Sequence, residues 1–389
     1  MDNLKDRDRP IIIVGGGIGG LAAALALAAR GYPSLVLEQA PEFREVGAGI
    51  QLGPNSWRCL RALKAEERAK KLAVFPQALV MMDAVTAEKV ISVPLQGFEQ
   101  RFGAPYALIH RADLLDALLA TCRDSPLVRL KTSCHVTSFR DDGELVHVAT
   151  KDGREYQTPA LIGADGLWST IRASIVADGK PRVAGHITYR AVLPASEVPE
   201  YLRRNEMILW SGPKCHLVHY PLRGGELFNL VAVFHSNRYE EGWNSFGDPA
   251  ELHERFQHTC DDVRLMLGKI SEWRMWVLCD REPAKMWSKG RVTLLGDAAH
   301  PMLQYLAQGA GMALEDSISL ARCLDESASV EAAFQAYPLQ RYLRTGRVQL
   351  TARLYGEFYH AEGVRRELRN AYVKNLGFEG LAWIYEYRV

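Results

Sequence analysis

Apolar residues along the chain follow two different patterns. Three short runs are apolar without alternation: Ile11-Ile12-Ile13-Val14, Ala160-Leu161-Ile162 and Val292-Thr293-Leu294-Leu295. Runs of this length suit strands buried on both faces, as in a parallel sheet covered by helices. Each reaches a glycine: Gly15-Gly16-Gly17-Ile18-Gly19-Gly20, Gly163-Ala164-Asp165-Gly166 and Gly296-Asp297. Helices are predicted after these turns over residues 18–30, 169–175 and 309–324. From about residue 181 to 280 the pattern changes to period-2 alternation, with strands predicted over 186–193, 207–210, 216–220 and 227–235. Proline and glycine turns separate them, and one helix is expected over 250–267. The remaining pattern predicts helices over 56–73, 112–122 and 330–353. It also predicts strands over 79–82, 90–93, 128–130, 136–140 and 145–150.

These elements predict an α/β fold with an α+β insert. A Rossmann-like nucleotide-binding domain is assembled from residues 1–75, 100–180 and 281–325. A sheet-rich substrate domain is expected from 76–99 and 181–280, and a C-terminal helical region from 326–389. The aromatic tail (Tyr355, Phe358, Tyr359, Trp383, Tyr385, Tyr387) is read as packing or oligomer surface.

The opening stretch carries the first chemistry. Gly15, Gly17 and Gly20 form G-x-G-x-x-G between a strand and a helix, and the next strand, 35–37, ends on Glu38. Gly15 permits the tight turn, Gly17 lets backbone approach a pyrophosphate, and Gly20 lets helix and strand pack closely. The phosphates would meet the unpaired N–H groups of the helix N-terminus, and Glu38 would accept from a ribose hydroxyl. This points to a dinucleotide and leaves NAD and FAD equally open.

Composition narrows the classes. At 389 residues two or three domains are expected. A net charge of +1 supplies no field to recruit nucleic acid. No run is long enough for a membrane span, and the charged first nine residues have no signal-peptide pattern. The seven cysteines are scattered without a C-x-x-C pair, which argues for a reducing cytoplasm and against a metal site or a disulfide reductase. No metal is expected.

Two further motifs decide between the dinucleotides. Alone, Asp297 in Gly296-Asp297-Ala298-Ala299-His300-Pro301 would suit a turn cap as well as a ligand. Together, GGGIGG, ADGLWSTIR and GDAAHP in this order resemble the single-component flavoprotein aromatic hydroxylases, FAD-dependent monooxygenases of the p-hydroxybenzoate hydroxylase type. The resemblance spans nearly the whole chain. It implies a resident FAD, with Gly15, Gly17, Gly20 and Glu38 on the ADP half and Asp297 on the ribityl chain. It implies that Arg111 contacts the cofactor and that Asp165 serves both FAD and the pyridine nucleotide. NADH, or NADPH, would be a co-substrate docking without a domain of its own. Gly309, Ala310 and Gly311 open a helix whose N–H groups could face the pyrimidine edge of the flavin and stabilise its anionic reduced form.

One departure narrows the substrate. Gln304 stands where the family usually has proline. With the segment 214–226 it makes the chain look like the branch acting on 3-hydroxybenzoate at carbon 6, more than the salicylate branch. By that resemblance His216, Tyr220 and Gln304 contact a small aromatic carboxylate. Hydroxylation with O2 through a flavin C4a-hydroperoxide needs a nucleophilic ring, and a phenolate is most nucleophilic ortho and para to its oxygen. Carbon 6 of 3-hydroxybenzoate is para to the hydroxyl, so the product would be 2,5-dihydroxybenzoate (gentisate). His216 is read as the base, with Tyr220 and Gln304 orienting the substrate and His219 on the opposite strand face. Asp83, Arg190 and Arg223 are carboxylate partners by charge only, with surface or turn roles expected, and His300 is expected to be structural. The alternatives are decarboxylating salicylate 1-hydroxylation, 6-hydroxynicotinate 3-hydroxylation, or a non-enzymatic flavin-binding protein. A homodimer is expected.

Overall fold

The structure, a computed structural model, describes residues 2–44, 48–237, 245–376 and 379–389. Glu45, Val46 and Gly47, which follow the Glu38 segment, lie outside the described residues. The three apolar runs become neighbouring strands of one six-stranded sheet. Its order is Ser288–Lys289, Val292–Leu294, Leu161–Gly163, Ile11–Val14, Ser34–Leu37 and Val128–Lys131, parallel except for the hairpin of the first two. This is a Rossmann-like arrangement, with the C-terminal strand ends carrying the glycine turns. The helix Ile18–Ala29 is apolar all round because it is covered on all sides. It lies between the sheet and the helix Gly309–Glu326, where a Cβ on Gly19 would come within 2.9 Å of Leu295 and 3.3 Å of Ala313.

The alternating strands form a second sheet of eight. Its order is Ser245–Phe246, Arg274–Asp280, Arg182–Pro194, Leu227–His235, Cys215–Leu222, Glu206–Gly212, Ala78–Asp83 and Lys89–Pro94. All pairs are antiparallel except Glu206–Gly212 with Ala78–Asp83. One face packs on Leu252, Phe256, Val263 and Met266 of the adjoining helices. The other packs on Leu303, Tyr305 and Leu306 and on the tail. A three-stranded meander (136–158) and the antiparallel pair of Gly49–Leu52 with Ala107–His110 complete the strands among the described residues.

Two predicted helices break. Pattern over 56–73 becomes Pro54–Ala62 and Glu66–Lys70, because Lys64 turns into the left-handed region (φ 58°). Pattern over 250–267 becomes Pro249–Arg255 and Asp261–Leu267, the second helix opening after Cys260 donates its N–H to Ala84. The last long helix extends further than expected, as Val330–Tyr359. It is tied to Gly309–Glu326 by a buried charge network. Arg341 pairs with Glu315 (2.8 Å) and Asp316 (2.7 Å), and Arg344 with Glu315 (3.0 Å). Burial alone would raise the Asp316 carboxyl, yet His300 and the Arg341 guanidinium hold it well below the carboxylate range. Asn55 closes the network by donating to Gln308 (2.9 Å) and Glu315 (2.8 Å), which fixes the start of the helix at Gly309. The aromatic tail packs within the chain, Tyr385 meeting Phe102 and Tyr106 edge-on.

Candidate active site

The C-terminal edge of the six-stranded sheet brings the three glycine motifs together. Gly15 has φ +105°, and a Cβ there would lie 2.4 Å from the Ala164 carbonyl, so the first and second motifs touch. A Cβ on Gly20 would lie 1.9 Å from the Gly15 carbonyl, so only glycine lets the helix approach its strand this closely. Glu38, at the end of its strand, accepts from the N–H groups of Gly16 (2.7 Å) and Ala40 (2.8 Å). The carboxylate is thereby held beside the glycine loop. Arg172 joins the second motif to the third by donating to the carbonyls of Ala298 (2.9 Å) and Ala299 (2.6 Å).

Asp165 has a local role that spacing did not reveal. Its carboxylate accepts from the Ser169 hydroxyl (2.5 Å) and the Thr170 N–H (2.8 Å), capping the helix Thr170–Ile175. The side chain therefore shapes its own loop. Asp297 sits in the turn Gly296–Ala298 and is exposed to water, while the protein crowded around it raises its carboxyl by desolvation. Accessible yet desolvated is the condition of a group on the wall of a deep cleft. The Arg111 guanidinium opposes that shift, which places a cation on the same cleft. Arg111 begins the helix Arg111–Arg123, and its N–H bonds the Ala48 carbonyl (2.9 Å).

Gly309 opens the helix Gly309–Glu326 with no side-chain cap, 3.8 Å separating its Cβ position from Asp297 Oδ1. The first-turn N–H groups of Gly309, Ala310 and Gly311 have no intrahelical acceptor. A glycine cradle, a carboxylate held beside it, a second carboxylate with a neighbouring cation and an uncapped helix start fit FAD. Bound there, FAD would supply the redox chemistry that activates dioxygen. His300 is structural, as expected: it is buried, with Nε2 2.5 Å from Asp316.

The residues read from the sequence as substrate contacts lie on one face of the eight-stranded sheet. Cross-strand register sets Thr188, Val233 and His216 in one row, Arg190, Val231 and Val218 in the next, and Val192, Asn229 and Tyr220 in the third. Residues paired across strands share a face, so His216 and Tyr220 end a patch with Arg190 between them. The turn Gln304–Leu306 covers it. Gln304 accepts from Arg190 through its side-chain oxygen and donates to the Thr188 hydroxyl (3.3 Å). Tyr220 packs on Gly49, where a Cβ would lie 2.5 Å from its ring, and Asn229 accepts from the Gly49 N–H (2.7 Å). His219 points to the other face and accepts from the Trp210 indole (3.0 Å), a packing role.

The charge-only candidates separate. Arg190 is not a surface residue: it is partly buried over the Trp276 ring (5.4 Å), and burial lowers its guanidinium to about 10, still protonated at neutral pH. Asp83 is not a surface group either. It is buried and accepts from Asn370 (2.7 Å) beside Arg369. Arg223 holds a turn role, paired to Asp113 at 2.6 Å. Sequence reasoning also missed a histidine cluster. His216 Nδ1 lies 2.7 Å from His360 Nε2, His360 Nδ1 lies 3.0 Å from His235 Nε2, and His186 Nδ1 lies 2.6 Å from the Tyr305 hydroxyl. The only signal was strand alternation placing His186, His216 and His235 on even or odd positions of separate strands. His186, His235 and His360 bring one ring nitrogen each within 4.8 Å of one another, a grouping that could take an ion. Both nitrogens of His360 are already engaged with imidazoles, so hydrogen bonding accounts for the cluster. Burial pushes His216 down to about 3 and His186 to about 4, leaving both neutral at pH 7.

Similarity to known proteins runs along nearly the whole chain. The FAD binding domain family model matches residues 8–345. A 3-hydroxybenzoate 6-hydroxylase of Polaromonas naphthalenivorans (strain CJ2) is 44% identical over 98% of this chain and 97% of its own. Another, 3-hydroxybenzoate 6-hydroxylase 1 of Aquipseudomonas alcaligenes, is 44% identical over 96% and 97%. A salicylate hydroxylase substrate complex superposes with a TM-score of 0.83 at 26% identity, covering 98% and 96% of the two chains. The chain belongs to the FAD binding domain family, and within it to the flavoprotein aromatic hydroxylases: it is an FAD-dependent monooxygenase.

Proposed function

We propose that the protein hydroxylates 3-hydroxybenzoate para to its hydroxyl, giving 2,5-dihydroxybenzoate, with NADH as reductant and O2 as oxidant. The observation that carries this reading is the sheet face on which His216, Arg190 and Tyr220 converge under Gln304. His216 is a neutral imidazole with a lone pair to offer, the state a base needs. It takes the phenolic proton, and the ring gains the electron density that directs oxygen to the para carbon. Arg190 brings a permanent positive charge to this patch, and it binds the substrate carboxylate while Gln304 holds its fork in place. Tyr220, over the glycine strand at Gly49, fixes the ring plane from the far end. The 44% identity to 3-hydroxybenzoate 6-hydroxylases supports the choice of substrate.

The division of labour follows the sheets. Residues 1–75, 100–180 and 281–325 are proposed to hold FAD, 76–99 and 181–280 the substrate, and 326–389 to cover both. A homodimer is proposed from the helix Val330–Tyr359, where Leu339, Leu343, Leu350 and Leu354 are exposed at steps of four, seven and four. That spacing lines one side of a helix.

A panel of monohydroxybenzoates tests the reading, each given with NADH or NADPH and its products identified. 3-Hydroxybenzoate should stimulate NADH oxidation and give gentisate without CO2. Catechol with CO2 from salicylate as the preferred reaction would replace it with the decarboxylating alternative.

A further inference from the structure

We propose that the segment Ala382–Tyr387 is a positioning element for the flavin, setting the helix start at Gly309 through Arg344, Glu315, Asn55 and Gln308. The inference rests on the reading of that helix start as the flavin's partner.

The short helix Ala382–Glu386 leaves its last four carbonyls without an intrahelical donor. Two arginines from other helices supply donors. Arg344, on Val330–Tyr359, donates to the carbonyls of Trp383 (3.2 Å) and Ile384 (2.7 Å). Arg58, on Pro54–Ala62, donates to those of Tyr385 (2.8 Å) and Tyr387 (2.6 Å). Side chains add to the grip. The Arg347 guanidinium lies 3.8 Å over the Trp383 ring, and a Cβ on Gly53 would lie 2.4 Å from the Tyr385 ring. Gly53 caps the helix that carries both Asn55 and Arg58.

The segment thus grips both sides of the hydrogen bond between Asn55 and Glu315. Asn55 is on the helix held by Arg58 and Tyr385. Glu315 is held by the same guanidinium that takes the Trp383 and Ile384 carbonyls, since Arg344 also donates to both its oxygens (3.0 and 3.3 Å). Four of the five N–H groups of Arg344 are committed in this way, two to the segment and two to Glu315. The Asn55 amide gives one bond to Glu315 and one to Gln308. It cannot follow a displaced Glu315 without loosening Gln308, the residue before Gly309. There is no slack at this point: a Cβ on Gly311 would lie 2.7 Å from Ser56 Oγ and 3.0 Å from Gln308 Oε1. Arg344, Glu315, Asn55 and Gln308 are all buried, where a lost partner is costly. The first-turn N–H groups of the Gly309 helix favour negative charge, so their placement sets how strongly the anionic reduced flavin is preferred over the oxidised one.

The test is the two-electron midpoint potential of the bound FAD, measured against a reference dye, with FAD content and far-UV circular dichroism recorded alongside. Arg344→Lys keeps the charge and loses the fork. That variant, and a chain ended after Leu381, should lower the potential by about 30 mV or more, an about tenfold weaker preference for reduced flavin. Asn55→Ala should do the same, and adding Arg344→Lys to it should change little, because both act along one path. Glu379→Gln, which removes only the exposed pair with Arg101, should keep the wild-type potential. If Asn55→Ala shifts the potential while Arg344→Lys and the shortened chain do not, the segment has no hold on the flavin and the proposal is overturned. Fully additive shifts in the double variant overturn it as well. If Asn55→Ala also leaves the potential unchanged, the reading of the helix start as the flavin's partner fails with it. Arg344→Lys decides the matter if the shortened chain does not fold.

Discussion

Arg190 donates from its guanidinium to the side-chain oxygen of Gln304, across 114 positions of sequence. The strand Arg182–Pro194 supplies the cation, and the turn after the Gly296-Asp297 motif supplies the acceptor. A proline at 304 would leave that guanidinium without this partner, so the Gln304 departure and the position of Arg190 are two halves of one feature.

Removing the cation is expected to cost substrate binding. A hydrogen bond to a charged group contributes about 1.5–3 kcal/mol, so Arg190→Met should weaken 3-hydroxybenzoate about 10- to 100-fold in an equilibrium titration of the flavin spectrum. A phenol lacking the carboxylate should lose little. Equal losses for both ligands would show that Arg190 does not meet the carboxylate.

His216→Ala should lower the rate of hydroxylation by a factor of about 10² or more, the usual contribution of a positioned base. FAD content should stay at the wild-type level, because the contacts of His216 lie away from the glycine cradle. Unchanged turnover removes His216 from the mechanism.

The cradle itself is tested at two positions. Gly20→Ala puts a methyl group 1.9 Å from the Gly15 carbonyl, so the turn must open and the purified protein should be depleted of FAD. Asp297→Ala leaves the turn intact and should weaken FAD retention less severely. Full occupancy in both variants, measured by absorbance, would contradict the proposed site.

The buried histidines predict acid sensitivity. Desolvation by burial lowers His219 and His186 to about 4 and His216 to about 3 in the folded chain, against about 6.5 unfolded. The unfolded chain therefore binds more protons below about pH 6.5, and stability falls as the pH drops from there. Each tenfold difference in proton affinity is worth about 1.4 kcal/mol. The denaturation midpoint should decline between about pH 6.5 and 4, largely above the range where carboxylates titrate. A flat profile there would mean the rings gain charge without unfolding.

Leu343 is the most exposed of the four leucines on the long helix, at 71%. Leu343→Glu should convert a dimer to a monomer in sedimentation analysis while leaving FAD bound. An unchanged oligomer would place the interface elsewhere.

Local order was readable from the chain because it depends on near neighbours. The glycines at 15, 17 and 20, the acid at 38 and the strand ends at 165 and 297 follow from steric and hydrogen-bonding demands a few residues wide. Alternation along 216–220 was enough to put His216 and His219 on opposite faces. Breaks at Lys64 and between 255 and 261 were not visible, because the apolar period runs across them and the packing of each half decides the bend. Arg190 looked like a surface charge, since nothing near it in sequence pairs with it. Its partner Gln304, the register that aligns it between His216 and Tyr220, and the meeting of His216 with His360 all depend on strands and turns far apart along the chain. Sequence determined the glycine turns at the strand ends, whose demands are local; cross-strand register and the closing turn decided which side chains gather around Arg190, because those contacts join segments far apart in the chain.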